Sequence, residues 1–149
     1  MQPYTELVSV KYFRHFLVAQ HGLAHWKEVG QDKSWPVDMY WDYYDLLERA
    51  NKIQITALFV DGLPVGYFVS IISTSMHYQT HTVAASDVFY IAPDFRQYAI
   101  RLFRAAEANA KSAGAEKLYL SFKVYKDITP ITKRLGYKAI ETVVVKSLE

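Results

Sequence analysis

The chain contains no cysteine, which excludes a disulfide framework, a thiolate zinc site and a cysteine nucleophile, and fits a reducing cytoplasm. Long apolar runs are also missing. The longest is Val88 to Ala92, far below the roughly 18 residues a membrane span requires and below a secretory core. Charge of one sign is scarce as well. Lys plus Arg is 17 against 15 for Asp plus Glu, a net +2, too balanced for a protein whose main task is to coat nucleic acid. Only 6 glycines and 5 prolines are spread through 149 residues that are 51% apolar, so low-complexity and disordered classes fall away. No P-loop and no G-x-S-x-G elbow occurs. The length suits one domain, residues 1–149.

What the chain does have is aromatic rings and an uneven charge. Aromatics make up 15%, with 12 tyrosines, more than a core of this size needs. From Glu28 to Glu48 the acids Glu28, Asp32, Asp38, Asp42, Asp45 and Glu48 face a single base, Lys33. From Leu63 onward eleven Lys/Arg stand against seven Asp/Glu. An acidic end on a basic body suits an anionic cofactor and a cationic substrate, although solvated faces would give the same pattern.

Periodicity predicts the elements. Phe13, Phe16, Leu17, Leu23 and Ala24 give a helix over 10–26, interrupted near Gly22. Pro36 and Asp38 start a second helix that carries Tyr40, Tyr43, Tyr44 and Leu47 to Ala50. Ile53 to Phe59 alternates as a strand and ends in Asp61-Gly62, a hairpin signal, with Val65 to Ile72 as its partner. Val83 to Ala92 is a third strand. Phe95 to Ala113 is the clearest helix, with Ile100, Phe103, Ala106 and Ala110 as its buried stripe and Gly114 as its stop. Leu118 to Phe122 is a strand, Ile128 to Leu135 a short helix, and Ala139 to Val145 a final strand. The order α-α-β-β-β-α-β-α-β, with room for a short strand before the first helix, describes one α/β domain with a mixed sheet.

That order, with the strand-turn-helix Asp87-Val88-Phe89-Tyr90-Ile91-Ala92-Pro93-Asp94-Phe95-Arg96, the helix residues Leu102 to Glu107 and the segment Leu135-Gly136-Tyr137-Lys138, resembles the GNAT superfamily of acyl-CoA N-acyltransferases. His25-Trp26 with Glu28, Trp41-Asp42, Asp61-Gly62 to Gly66-Tyr67 and Met76-His77-Tyr78 resemble its compact branch encoded by tailed bacteriophages. The resemblance implies a fold in which two neighbouring parallel strands splay, so that unpaired backbone groups bind the pantetheine arm of acetyl-CoA. Here these are Phe89, Tyr90 and Ile91 against Leu118 to Phe122. It also implies that the turn Arg96, Gln97, Tyr98, Ala99, Ile100 and Arg101 presents N–H groups and two guanidiniums to the pyrophosphate at a helix start. The family's loop carries glycines and this one has none, which crowds the backbone approach. Counting back from Tyr137, the position where many relatives hold a proton-donating tyrosine is Thr132, a poor acid, and Tyr125 or solvent would replace it.

Acetyl transfer to a primary amine needs a neutral nitrogen and therefore a proton acceptor. Asp87, on the strand before the expected splay, is the first candidate base, and a strand-end or bulge aspartate is its structural alternative. His77 and His81 follow, with a suitable imidazole but a loop context. His25, Trp26, Glu28, Trp41 and Asp42 form the expected acceptor side, where carboxylates and rings suit a cation beside an apolar group. His21-x-x-x-His25 and His77-x-x-x-His81 have helical ligand spacing, yet neither has a zincin glutamate, and no metal is expected. The expected partners are a small-molecule or protein amine, with no membrane, nucleic acid disfavoured and a homodimer left open. Two other readings stay open: a GNAT-fold protein that has lost catalysis and works as a binding or virion-associated module, and a modifier of a protein or nucleobase amine.

Overall fold

The computed structural model describes residues 2–30 and 34–149. Its frame is a five-stranded sheet in the order β1 (Pro3–Val8), β2 (Ile53–Val60), β3 (Leu63–Thr74), β4 (Thr82–Ile91) and β5 (Leu118–Tyr119). The first three neighbouring pairs are antiparallel and β4–β5 is parallel. The hairpin signal holds: Asp61 and Gly62 adopt φ values of 51° and 82°, the left-handed pair that a tight hairpin turn requires.

The sheet is buried on both faces. On one face lie Ile55, Ala57, Phe59, Tyr67, Val69 and Tyr90, packed with Val10, Phe13 and Leu17 from the first helical segment. On the other lie Leu58, Val60, Val65, Phe68 and Ile91, packed with Ala99, Leu102, Phe103 and Ala106. Alternation along β2 and β4 sorts the side chains between these faces. The ring of Phe89 joins the second face, stacked on Phe68 at 5.4 Å and edge-on to Phe103 at 5.2 Å.

The helical segment over 10–29 runs without a break as α1 (Val10–Tyr12), a π-helical stretch Phe13–Val18 and α2 (Ala19–Val29). The irregularity therefore falls one turn before Gly22 rather than at it. The π turns bring Phe13 and Leu17 both onto the sheet, which a regular spacing also allows, so periodicity does not reveal them. Ser9 caps α1 by accepting from the Tyr12 N–H at 3.1 Å, and Glu48 reaches from the second helix to accept from the Val10 N–H at 2.7 Å.

Other expectations shift. The second helix, α3 (Trp41–Arg49), starts five residues after Pro36, and Tyr40 rather than Asp38 precedes it. A 3₁₀ turn over Pro93–Tyr98 takes the start of the expected long helix, and α4 (Ala99–Ser112) follows. Ile100 is only half-buried, and Leu102 takes its place in the stripe. The short helix α5 (Thr129–Arg134) lies within its expected bounds. The strand expected over 118–122 is ladder-paired only at Leu118 and Tyr119. The last expected strand is absent: 138–149 carry no strand and are exposed, Val143 at 84% and Val144 at 87%. Alternating β-branched residues set strand propensity alone. A strand also needs a partner edge, and the short β5 pairs nothing on its outer side.

Candidate functional site

β4 is the element that makes a site. Its ladder to β3 joins Val69 to Val88 and Ser70 to Ser86, so Asp87 is the extra residue of a β-bulge. The bulge turns Asp87 out of the alternation, and its Oδ2 accepts a 2.7 Å hydrogen bond from the Tyr44 hydroxyl of α3. Burial, and then the Asp87 carboxylate, push the Tyr44 phenol well above its ordinary pKa, so Tyr44 acts there as a donor.

On its other side β4 meets β5 only at Ala84–Leu118 and Ala85–Tyr119. One residue further, the Ser121 N–H bonds to the Ser86 side chain at 3.0 Å instead of to β4 backbone. From Asp87 to Ile91 the outer edge of β4 has no strand beside it among the described residues. The β4–β5 ladder therefore ends before Asp87. The inner edge stays tightly paired: a Cβ on Gly66 would lie 2.9 Å from the Tyr90 carbonyl oxygen, so only glycine lets β3 approach β4 there.

The strand ends in the turn that opens α4. Ala99 begins the helix, and Tyr98, the residue before it, makes no side-chain cap. The Ala99 N–H is taken by the Arg96 carbonyl of the preceding 3₁₀ turn, and the dipole of the 14-residue helix favours an anion near its start. Gln97 and Arg101 are exposed there, while Tyr98 and Ile100 are half-buried and Ala99 is buried. These residues fit a diphosphate, and the bare edge of β4 fits an amide-bearing arm.

Arg96 is oriented differently from Arg101. Its Nε donates to the Ile91 carbonyl at 2.9 Å and its Nη2 to Glu28 Oε2 at 2.6 Å, and its guanidinium lies 5.7 Å from the Tyr90 ring centre. Glu28, expected on the acceptor side, instead bridges Arg96 and, at 3.4 Å, Lys126. Burial would raise its pKa, but the Arg96 hydrogen bond and charge and then Lys126 hold it below the usual carboxylate range. Lys126 was not among the expected site residues, and no local motif marks it. It comes to Glu28 only because the chain after β5 folds back over the end of α2.

His25 sits next to this group. Its ring stacks on Tyr90 at 5.0 Å, and its Nδ1 lies 2.6 Å from the Tyr67 hydroxyl. Only 8% exposed, it is held neutral by burial, with its pKa lowered to about 4, while the negative charge of Glu28 opposes the shift. His21 Nε2 lies 3.0 Å from the Pro64 carbonyl oxygen. The two histidines with helical ligand spacing thus have separate partners. Among the described residues no group of three or more His, Asp or Glu side chains could hold a metal ion.

The remaining expected residues scatter. Trp26, half-buried, lies one position from His25 on α2. Trp41 packs against Phe13 and Tyr44, with the Arg14 guanidinium 5.4 Å from its ring. Asp42 is exposed and, with Arg14, Asp38, Met39, Tyr40 and Trp41, lines an open hollow of about 530 Å³. Tyr125 donates to the Val29 carbonyl at 2.8 Å, tying the segment after β5 to the end of α2. His77 lies in the exposed loop between β3 and β4, at the opposite end of β4 from Ile91. His81, in the same loop, contacts Glu116 at 2.7 Å. Thr132 is 7% exposed and donates to the Thr129 carbonyl, so it offers no proton to a cleft. Asp32 and Lys33 lie outside the described residues.

No family model matches the sequence, and no curated protein matches it. Solved structures do. Glucosamine-6-phosphate N-acetyltransferase from Arabidopsis thaliana superposes with a TM-score of 0.72 at 12% identity, covering 100% of both chains. The ribosomal-protein-alanine N-acetyltransferase of Brucella melitensis biovar Abortus 2308 gives 0.70 at 16%, covering 97% of this chain and 99% of that one. A GNAT family acetyltransferase of Staphylococcus aureus gives 0.65 at 16%, covering 99% and 100%. At such identities the likeness is one of fold, and the fold is that of the GNAT acyl-CoA N-acyltransferases. No helix among the described residues is long and apolar enough to cross a membrane.

Proposed function

We propose that this chain is a cytoplasmic N-acetyltransferase that moves an acetyl group from acetyl-CoA to a primary amine by direct attack. One observation carries the reading: a bulged β4 whose outer edge is bare from Asp87 to Ile91 among the described residues and which leads through a 3₁₀ turn into the start of a long helix. Acetyl-CoA would supply the acyl group as an activated thioester. Backbone groups of Phe89, Tyr90 and Ile91 hold its arm, and the turn from Arg96 to Arg101 holds its diphosphate. A β4 N–H on the same edge faces the thioester oxygen as charge develops there.

Asp87 takes the proton from the attacking amine as the carbon–nitrogen bond forms and the carbon–sulfur bond breaks. Tyr44 keeps the carboxylate oriented through its hydroxyl. The sulfur leaves with a proton from water, because the Tyr125 hydroxyl, the other candidate, is spent on the Val29 carbonyl. His77, the second candidate base, lies beyond the Thr82 end of β4 and away from the bare edge, which favours Asp87. Trp41, Asp42 and the hollow around them give the amine an acidic, aromatic approach from the α3 side.

The acceptor is not chosen by the fold. Proteins that share it bear names as different as a ribosomal-protein-alanine and a glucosamine-6-phosphate acetyltransferase. A small-molecule amine and a protein or nucleobase amine are both acceptors to test, and the phage-encoded branch remains the sequence resemblance that suggests an origin. A second reading, a GNAT-fold binding or virion-associated module without catalysis, draws support from Arg96, which is spent on Glu28, and from Thr132, which is buried on its own helix. Calorimetric titration with acetyl-CoA decides between them. Micromolar binding that Arg101→Glu abolishes, followed by amine-dependent CoA release, supports acetyl transfer. No binding at millimolar ligand supports the module.

A further inference from the structure

Glu28 lies where an anion would lie. Arg96 follows β4 and Lys126 follows β5, so the two cations come from the two strands that part. A single carboxylate from α2 spans them, 2.6 Å from one and 3.4 Å from the other. Arg96 is further fixed by the Ile91 carbonyl at 2.9 Å and by the Tyr90 ring, so it is held in place independently of Glu28. The segment that carries Lys126 is fixed by Tyr125, which donates to Val29 at 2.8 Å. Both cations are half-exposed, at 38% and 42% of the side chain, and Glu28 is 23% exposed. Two positive charges held from both banks of a cleft, with one negative charge between them, leave a surplus positive charge at its mouth.

We propose that Arg96 and Lys126 form a diphosphate-binding pair that Glu28 occupies as an internal competitor, and that binding of a diphosphate expels the Glu28 carboxylate. A diphosphate carries at least twice the charge of a carboxylate and repels Glu28 if both stay, so the two cations favour the diphosphate over Glu28. The Tyr125 bond to Val29, the last residue of α2, keeps the Lys126 segment in place when Glu28 leaves. The assignment of the diphosphate to acetyl-CoA rests on the activity proposed above, whereas the competition itself does not.

The test uses inorganic pyrophosphate and acetyl-CoA as separate probes, titrated calorimetrically at fixed ionic strength. Glu28→Gln is expected to tighten pyrophosphate about tenfold, corresponding to about 1.4 kcal/mol. Asp94→Asn removes the same charge from the turn beside Arg96 and is expected to change affinity less than twofold. Lys126→Gln added to Glu28→Gln is expected to reverse the gain. Equal affinity in the wild type and Glu28→Gln, an equal gain from Asp94→Asn, or no pyrophosphate binding to any of these proteins at millimolar concentration overturns the proposal. Pyrophosphate competition without any acetyl-CoA binding would leave the Glu28 site standing and remove the acetyl-transfer reading. Acetyl transfer without competition would do the reverse.

Discussion

The Tyr44 hydroxyl donates a 2.7 Å hydrogen bond to the carboxylate of Asp87, joining the middle of α3 to the bulge of β4 across 43 positions of sequence. The bond fixes the direction of the carboxylate. Tyr44→Phe keeps the ring, deletes the bond and is expected to lower kcat several-fold through misplacement of the proton acceptor. Asp87→Asn removes the base itself and is expected to lower kcat about 100-fold or more, in the range typical of general-base loss. Steady-state CoA release at pH 7 checks both. A kcat for Tyr44→Phe equal to that of the wild type would separate this hydroxyl from the chemistry.

His25 makes a prediction that does not depend on activity. Its folded-state pKa is lowered to about 4 from an ordinary 6.5 by burial. The unfolded chain therefore binds more protons than the folded one between these values. Stability is full above about pH 6.5 and falls as the pH drops toward 4, by about 3 kcal/mol in all at 1.36 kcal/mol per unit. Urea denaturation at pH 7, 5.5 and 4.5 is expected to show this slope. His25→Gln, which cannot titrate, is expected to lose most of it while starting lower at pH 7, because the Tyr67 contact and the stacking on Tyr90 are weakened.

The sequence showed these two sites unequally. The β2–β3 hairpin, the long β4, the end of α4 and α5 were legible because Asp61-Gly62, the apolar run from Val88 to Ala92 and the glycines at 114 and 136 act locally. The bulge at Asp87 was legible only as one alternative, because a bulge is a register offset against Ser70 and Val69 and exists only once two strands pair. The Glu28–Arg96–Lys126 group was hidden for a similar reason, since its members come from three distant segments. Asp42 and Glu28 looked alike as acids in one charged stretch. One lines an open hollow and the other closes an ion pair, a difference set by which turn of which helix meets the sheet. The final strand failed for the opposite reason: Val143, Val144 and Val145 have strong strand propensity and no edge to pair with.

Tyr137 shows a motif gaining a partner that its local spacing does not reveal. Its hydroxyl donates to Glu107 of α4 at 2.7 Å, which fixes the segment after α5 against the helix that opens the site. Burial and then this carboxylate push the phenol well above its ordinary pKa. Tyr137→Phe keeps the ring and deletes the bond. A loss of about 1–3 kcal/mol is expected, because the half-buried Glu107 carboxylate is left without its donor. Chemical denaturation at pH 7 measures it, and a variant as stable as the parent would show that water replaces the hydroxyl.

Phe103 connects α4 to the strand that carries the site. It is 3% exposed and meets both Phe68 and Phe89 edge-on, with ring centres 5.5 and 5.2 Å away. Truncation to alanine opens a cavity between three rings and is expected to cost about 3–5 kcal/mol. The functional consequence follows from Phe89, whose backbone lies on the bare edge of β4. With Phe103 gone, Phe89 loses its edge-on ring contact with α4, so the bare edge of β4, proposed above to hold the cofactor arm, is less firmly positioned. Phe103→Leu fills part of the volume and keeps the fold, with a smaller loss expected in denaturant. Its acetyl-CoA affinity is expected to drop several-fold, whereas Leu47→Ala, on α3 and away from this face, is expected to lower stability without changing that affinity. If both variants bind acetyl-CoA as the parent does, the ring stack supports the fold alone and the position of β4 is set by its ladder to β3.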